Sequence, residues 1–227
     1  MPQVPPLPIA TPVKPTSPQP APGRNVVSLL PQSERSDGEL VHAIAAGEPW
    51  AAAMLLDRYG PLVERLIRRV MGHDPELEDL VHDAFATILT SIHQVRDGQA
   101  VKGWISSVAV HTAHRAIRRR RLSRWLFFWQ HDEELPEPSS VPAHGPREAL
   151  RRVYAALDEL SAEDRIAFTL RFVEEMPLED VASACGVSLA TVKRRLARAE
   201  QRFTALAKRD PVLRGWMEEG DRWTTNQ

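Results

Sequence analysis

The chain has 227 residues, a formal net charge of −1 at pH 7 and one cysteine. This length accommodates about two small domains of roughly 100 residues each. A single cysteine excludes a disulfide framework and a cysteine-based zinc site, and no apolar run approaches the roughly 20 residues that span a bilayer. We therefore expect a cytoplasmic protein without a membrane span.

Residues 1–35 are rich in proline, with ten of the nineteen prolines of the chain, and contain few large apolar side chains. Such a segment cannot bury enough apolar surface to offset the entropy of ordering it. We predict a disordered tail over 1–35. A polyproline ligand for some partner is the alternative interpretation.

Apolar residues recur with helical spacing from about Leu40 to Leu122. The pattern predicts a helical domain over 36–122, and no segment alternates as a strand would. Its four predicted helices cover 37–46, 49–72, 75–94 and 100–121.

The third of these helices is strongly acidic, because residues 74–83 contain five acids and neither Lys nor Arg. Its apolar side chains, such as Leu80 and Phe85, supply a buried face. The opposite face indicates a docking surface for a basic protein partner. One alternative is a metal site built from Glu78, His82 and Asp83, and the other is a face that contacts only solvent. That face consists of Glu78, Asp79, His82 and Asp83.

The fourth predicted helix reverses the charge, with seven basic residues and no acid over 102–124. A cluster of this kind is typical of a nucleic-acid surface. Trp104 fits either the nucleic-acid surface or the core. His111 and His114 have metal-ligand spacing, but their helix offers no carboxylate or thiol nearby, so we expect no metal there. The candidate nucleic-acid residues are Lys102, Trp104, Arg115, Arg118, Arg119, Arg120 and Arg121.

Residues 123–146 contain four prolines and an acidic run, which favours a flexible linker. The linker begins with the aromatic cluster RWLFFW at 124–129. This cluster is too short to cross a membrane, so we favour packing or partner contact and leave its role open.

A second helical domain is predicted over 147–208, followed by a C-terminal tail over 209–227. Its helices are expected at 147–160, 162–174, 178–185 and 189–208. The fold class is therefore all-α, with two small helical domains joined by a flexible linker.

The last two helices of this domain have the pattern of a helix-turn-helix. Gly186 stands where a tight turn needs a residue that tolerates positive φ, and Ser188 is placed to cap the next helix. That helix turns apolar residues inward, which leaves its basic residues for DNA bases and phosphates. A solvated basic helix is the alternative. The candidate DNA-reading residues are Ser188, Thr191, Lys193, Arg194, Arg195 and Arg198.

Two separate blocks of the chain resemble the extracytoplasmic-function (ECF) group of bacterial RNA polymerase sigma factors, within the sigma-70 family. LEDLVHDAFATIL and VKGWISSVAVHTAHRAIRRRR resemble its region 2. ALDELSAEDRIAFTLRFVEEMPLEDVASACGVSLATVKRRLARA resembles its region 4. The order of the two blocks is that of the family.

The resemblance implies a promoter-specificity factor with core RNA polymerase, promoter DNA and an anti-sigma factor as partners. It assigns the acidic face to the polymerase clamp, the loop 93–100 and the basic helix to minus-10 opening, and the last helix to the minus-35 element. His111 and Arg115 differ from the family, where an Asn and an acid are common at these positions. No cofactor, metal or small-molecule substrate is implied.

Two other classes of protein are alternatives to a sigma factor. A stand-alone helix-turn-helix regulator is the main alternative, but such proteins usually dimerise, and the sequence shows no dimerisation helix or ligand domain. An enzyme is less favoured, because the sequence contains no nucleophile elbow, P-loop or dinucleotide fingerprint. We therefore predict that the protein is not an enzyme.

Overall fold

The computed structural model describes residues 35–130 and 145–224, with side chains over 35–124 and 145–217. These ranges are helical and contain no strand, which confirms the predicted all-α class. The predicted tail, apart from residue 35, and linker residues 131–144 lie outside the described residues. None of the described helices is long and apolar enough to cross a membrane.

Over the described residues 35–130, the N-terminal domain contains four helices, with two short 3₁₀ turns between the third and the fourth. Ser36 caps the first helix through a reciprocal bond with Glu39, and Pro49 occupies the first turn of the second helix. The helices surround fully buried residues such as Leu55, Ile88 and Ile105. Their bounds are α1 Asp37–Ala45, α2 Pro49–Met71, α3 Leu77–Ser91 and α4 Val101–Gln130.

Helix α4 is longer than predicted and continues to Gln130, so the first residues of the predicted linker are helical. No glycine or proline follows Gly103 until Pro136, and the chain therefore lacks a helix-breaking residue over this stretch. The aromatic cluster at 124–129 belongs to this extension, but its side chains from 125 onward lie outside the described ones.

Over residues 145–224, which the structure describes, the C-terminal domain contains five helices, of which the last was not predicted. Asp210 accepts hydrogen bonds from the backbone N–H groups of Val212 and Leu213, and Pro211 starts the helix. Leu213 then packs against Ala207, so the C-terminal tail prediction was wrong for 211–224. The bounds are α5 Pro146–Asp158, α6 Ala162–Phe168 with a π turn Thr169–Val173, α7 Leu178–Cys185, α8 Leu189–Arg209 and α9 Pro211–Thr224.

Helices α7 and α8 form the predicted helix-turn-helix. Gly186 has a φ of 62°, in the left-handed region, and Val187 N–H donates to the Ala182 carbonyl oxygen at 3.0 Å. The Ser188 side chain then accepts from Thr191 N–H at 3.3 Å and caps α8. The turn thus holds α8 at a defined angle to α7.

The two domains pack directly against each other. The buried apolar residues of α1–α4 and those of α6–α8 form one continuous cluster, in which α4 contacts both α6 and α7. The packing itself was not foreseen from the sequence.

Candidate protein and nucleic-acid interfaces

The predicted docking residues on α3 form an exposed surface, called here the acidic surface: Glu78, Asp79, His82 and Asp83. Leu80 and Phe85, from the other side of α3, are buried. Among the described residues, none of the four side chains of the acidic surface has an ion-pair or hydrogen-bond partner. Their charges therefore remain available to a basic partner.

The metal alternative for this surface gains no support from the geometry. In the part of the chain that the structure describes, no three His, Cys, Asp or Glu side chains are grouped so that they could hold a metal ion.

The acids just before α3 have an internal role instead. Asp74 is almost fully buried, and its Oδ1 accepts from Arg120 Nη2 at 2.7 Å. The hydrogen bond from Arg120 holds the pKa of the Asp74 carboxyl below its usual value, against the opposing effect of burial. Glu76 Oε2 accepts from the same guanidinium at 2.9 Å. Arg120 therefore ties α4 to the turn between α2 and α3.

The basic residues of α4 divide into groups with different surroundings. Lys102 and Arg118 are exposed and have no carboxylate partner among the described residues. Arg119 is 66% exposed but contacts Glu76, while Arg121 donates to the Asp158 carbonyl oxygen of α5 at 3.0 Å. The ion pairs of Arg120 argue against a DNA contact for that residue.

Arg115 and Trp104 occupy two distinct positions along α4. Arg115 is exposed and lines an open groove of about 490 Å³ between α3 and α4, together with Thr112 and Asp83. Trp104 is half-buried and packs on the core, so its position is compatible with both of its interpretations. The groove connects the acidic surface with the basic residues of α4.

The two histidines of α4 face the C-terminal domain. His114 Nε2 lies 3.0 Å from Glu163 Oε1 of α6, and this hydrogen bond lowers the pKa of Glu163. Glu163 was missed as a partner because it lies 49 residues away in the sequence. His111 borders a cavity of about 120 Å³ that Cys185 and Arg195 also line.

Helix α8 presents most of its predicted DNA-reading residues to solvent. Lys193 and Arg194 are exposed, and Arg194 Nη2 donates to Thr191 Oγ1 at 3.2 Å. Arg198 is exposed but pairs with Asp164 at 2.8 Å, and Arg195 is half-buried. The opposite face is buried as predicted, through Val192, Leu196 and Ala199.

The single cysteine is not placed for redox chemistry. Burial raises the pKa of the Cys185 thiol to about 11, so little thiolate forms near neutral pH. Its position within the helix-turn-helix is that of a packing residue.

Comparison with known proteins gives two family matches in the order of the two domains. Residues 55–123 match the model of Sigma-70 region 2, and residues 150–203 match that of Sigma-70, region 4. RNA polymerase sigma factor SigV of Bacillus subtilis is 31% identical over 137 residues, covering 60% of this chain and 78% of SigV.

Two further relatives have similar names. RNA polymerase sigma-H factor of Pseudomonas aeruginosa is 25% identical over 191 residues, covering 80% of this chain and 98% of that protein. ECF RNA polymerase sigma factor SigE of Mycolicibacterium smegmatis is 29% identical over 160 residues, which are 66% of this chain; the chain spans 58% of its length.

Solved structures share the helical fold. CnrH in complex with the cytosolic domain of CnrY has a TM-score of 0.54 and 21% identity, covering 78% of this chain and 99% of that chain. The sigma factor RpoE, in complex with the anti-sigma factor NepR from Bartonella quintana, has a TM-score of 0.50 and 23% identity, covering 68% and 95%.

Proposed function

This chain belongs to the sigma-70 family of RNA polymerase sigma factors, and its relatives include members of the extracytoplasmic-function group. We propose that it carries core RNA polymerase to specific promoters and assists their opening. The N-terminal domain corresponds to region 2 and the C-terminal domain to region 4. The observation that carries the proposal is that one chain presents two separate basic helices and an acidic surface whose side chains have no partner in the described part of the chain.

Region 2 docks on core polymerase through the acidic surface. Its carboxylates are exposed and close together on α3, so a basic partner gains several charge-assisted contacts at once. The groove between α3 and α4 places this docking surface next to the basic residues of α4. Polymerase binding and promoter opening therefore involve neighbouring surfaces of region 2.

Promoter opening uses the exposed cations of α4. Lys102, Arg115 and Arg118 have no carboxylate partner among the described residues and are free to contact phosphates. Arg119 and Arg121 are secondary candidates, since each already has a contact within the protein. Trp104 offers an aromatic face on which an unpaired base can stack, which compensates part of the cost of unstacking it.

Region 4 reads the minus-35 element with α8. Arg194 and Lys193 project from the exposed face near the helix N-terminus, where a recognition helix contacts base edges. Ser188 and Thr191 fix the start of the helix, and Arg198 lies one turn beyond Arg194. Arg195 is half-buried in the structure, and it joins these DNA-reading residues when its side chain becomes exposed.

Family membership leads to two expectations, one about a protein partner and one about the cellular compartment. CnrH and RpoE are each held by another protein in their solved structures, in RpoE by an anti-sigma factor, and we propose an anti-sigma factor as a partner of this chain. The protein acts where the polymerase acts, in the cytoplasm, and the polymerase carries out the chemistry. A stand-alone regulator leaves the acidic surface without a role.

Replacing Arg194 with alanine tests promoter reading. If Arg194 reads a base, holoenzyme affinity for its best promoter should fall by about 1 to 3 kcal/mol, and preference should relax at one minus-35 position. Filter binding across single-base promoter variants measures both effects.

Arg202 supplies the matched control for this experiment. It is exposed two turns further along α8 and has no partner among the described residues, so Arg202→Ala should preserve the preference at every position. If Arg194→Ala weakens all promoters equally, the residue contacts phosphate and does not read sequence.

A further inference from the structure

An acidic residue of α6 holds one arginine of the DNA-reading helix α8. Arg198 donates twice to the Asp164 carboxylate, from Nη2 to Oδ1 at 2.8 Å and from Nε to Oδ2 at 3.3 Å. A two-point contact between planar groups fixes the orientation of a guanidinium as well as its position. The Arg198 side chain is therefore oriented before it meets DNA.

Asp164 is itself held in place by its surroundings. It lies in the first turn of α6, where its backbone N–H donates to the capping Ser161 Oγ at 3.0 Å, and its side chain is only 13% exposed. Helix α6 packs against α8, and Ile166 and Leu196 from these two helices belong to the same buried core. Because the two helices are packed together, the carboxylate keeps its place relative to α8.

The other cations on the exposed side of α8 lack such an anchor. Arg194 Nη2 donates once, at 3.2 Å, to the neutral hydroxyl of Thr191 on its own helix. Lys193 and Arg202 have no partner among the described residues. A guanidinium that is held by a carboxylate from a second helix thus distinguishes Arg198 from its neighbours.

The anchored guanidinium keeps a free donor edge. Arginine has five N–H groups, and Asp164 accepts from the one on Nε and from one on Nη2. The remaining N–H groups on Nη1 and Nη2 include two that lie side by side at the end of the side chain. Guanine presents two matching acceptors, O6 and N7, in the major groove. The Arg198 side chain is 62% exposed, which leaves this edge accessible to a base.

We propose that Asp164 is a positioning residue for promoter recognition, because it directs Arg198 towards a guanine in the minus-35 element. This inference rests on the proposed function and adds to it the base that one arginine reads. An unanchored arginine loses side-chain entropy when it binds a base, whereas Arg198 has lost part of that entropy in the free protein. Asp164 acts only through Arg198 and touches no base.

Promoter preferences of single and double variants test this role. Full-length wild type, Asp164→Ala, Arg198→Ala and the double variant are each combined with core polymerase, and filter binding is measured on every single-base variant of the minus-35 element. The wild type should prefer guanine at one position, and Arg198→Ala should reduce that preference about 5- to 150-fold. Asp164→Ala should reduce it about threefold or more at the same position, and should have no further effect once Arg198 is absent.

Two further variants separate positioning from folding and from net charge. Asp164→Asn has nearly the same shape but one acceptor oxygen instead of two, so it should also lower the guanine preference. Glu200→Ala removes one negative charge from α8, at an exposed acid without a partner among the described residues, and should leave every preference unchanged. An equal loss of guanine preference in Glu200→Ala would make net charge responsible and contradict the positioning role.

Three other results would overturn the role of Asp164. Asp164→Ala could change the affinity for all promoter variants equally, it could lower the guanine preference as strongly without Arg198 as with it, or Arg198→Ala could leave every preference intact. Failure of the proposed function would look different. In that case the wild-type protein with core polymerase would itself show no preference at any minus-35 position.

Discussion

Replacing both Asp79 and Asp83 with lysine is expected to abolish binding to core RNA polymerase. Both carboxylates are exposed and have no partner among the described residues, so the protein loses no internal contact and its helical content should not change. Coupling between close charges across an interface is worth about 1.5 to 7 kcal/mol per pair, so two reversals should weaken binding at least about 100-fold. Co-purification with tagged core polymerase measures the loss, and circular dichroism checks the fold.

A matched pair of reversals separates this effect from net charge. Glu159→Lys with Glu200→Lys changes the charge equally on region 4, at exposed acids without partners among the described residues, and should leave core binding near the wild-type level. Co-purification of the Asp79 and Asp83 variant at the wild-type level would show that the acidic surface does not bind core polymerase.

Arg120→Ala is expected to destabilise the protein, even though Arg120 belongs to a basic run typical of DNA contacts. The substitution leaves Asp74, only 8% exposed, without its main partner. Breaking a fully buried pair costs about 3 to 5 kcal/mol, and since Arg120 is itself 31% exposed we expect roughly 2 to 3 kcal/mol. Urea unfolding of the purified variant measures the change.

Arg118 is the matched control two residues away. It is exposed and has no partner among the described residues, so Arg118→Ala should change the free energy of unfolding by less than about 0.5 kcal/mol. Its effect should instead fall on promoter opening. Equal free energies of unfolding for the two variants would show that the contact between Arg120 and Asp74 does not stabilise the fold.

Acidification should weaken the same contact. The folded-state pKa of Asp74 lies below its ordinary value, chiefly because Arg120 donates to the carboxylate. The stability that this provides is fully present above the ordinary value near 3.8 and is lost as the pH falls through the lower folded value. Arg120→Ala should therefore cost less at pH 3 than at pH 7.

Features that depend on local sequence could be predicted. The period of apolar residues placed the buried faces of α3 and α8 correctly, because each face is set by the spacing within one helix. The left-handed turn at Gly186 and the cap at Ser188 also follow from residues only a few positions apart. The exposure of the acidic surface is a direct consequence of the same spacing.

Features that depend on distant residues could not be predicted. Arg120 looked equivalent to Arg118 because Asp74, which distinguishes them, is 46 residues away. In the sequence, Arg165 likewise resembles any basic residue of a short helix. Only the fold brings it to the end of α2. Helix α9 is a different case, since Asp210 and Pro211 form a local start signal within the predicted C-terminal tail.

Promoter opening with and without core polymerase distinguishes a sigma factor from a stand-alone regulator. Alone, the protein should bind duplex promoter DNA only weakly, near the roughly 10⁻⁴ to 10⁻⁶ M of non-specific binding. With core polymerase it should bind specifically and make thymines near minus-10 reactive to permanganate. Nanomolar, sequence-specific duplex binding by the isolated protein, unaffected by core polymerase and without permanganate reactivity, would contradict the account and favour a stand-alone regulator.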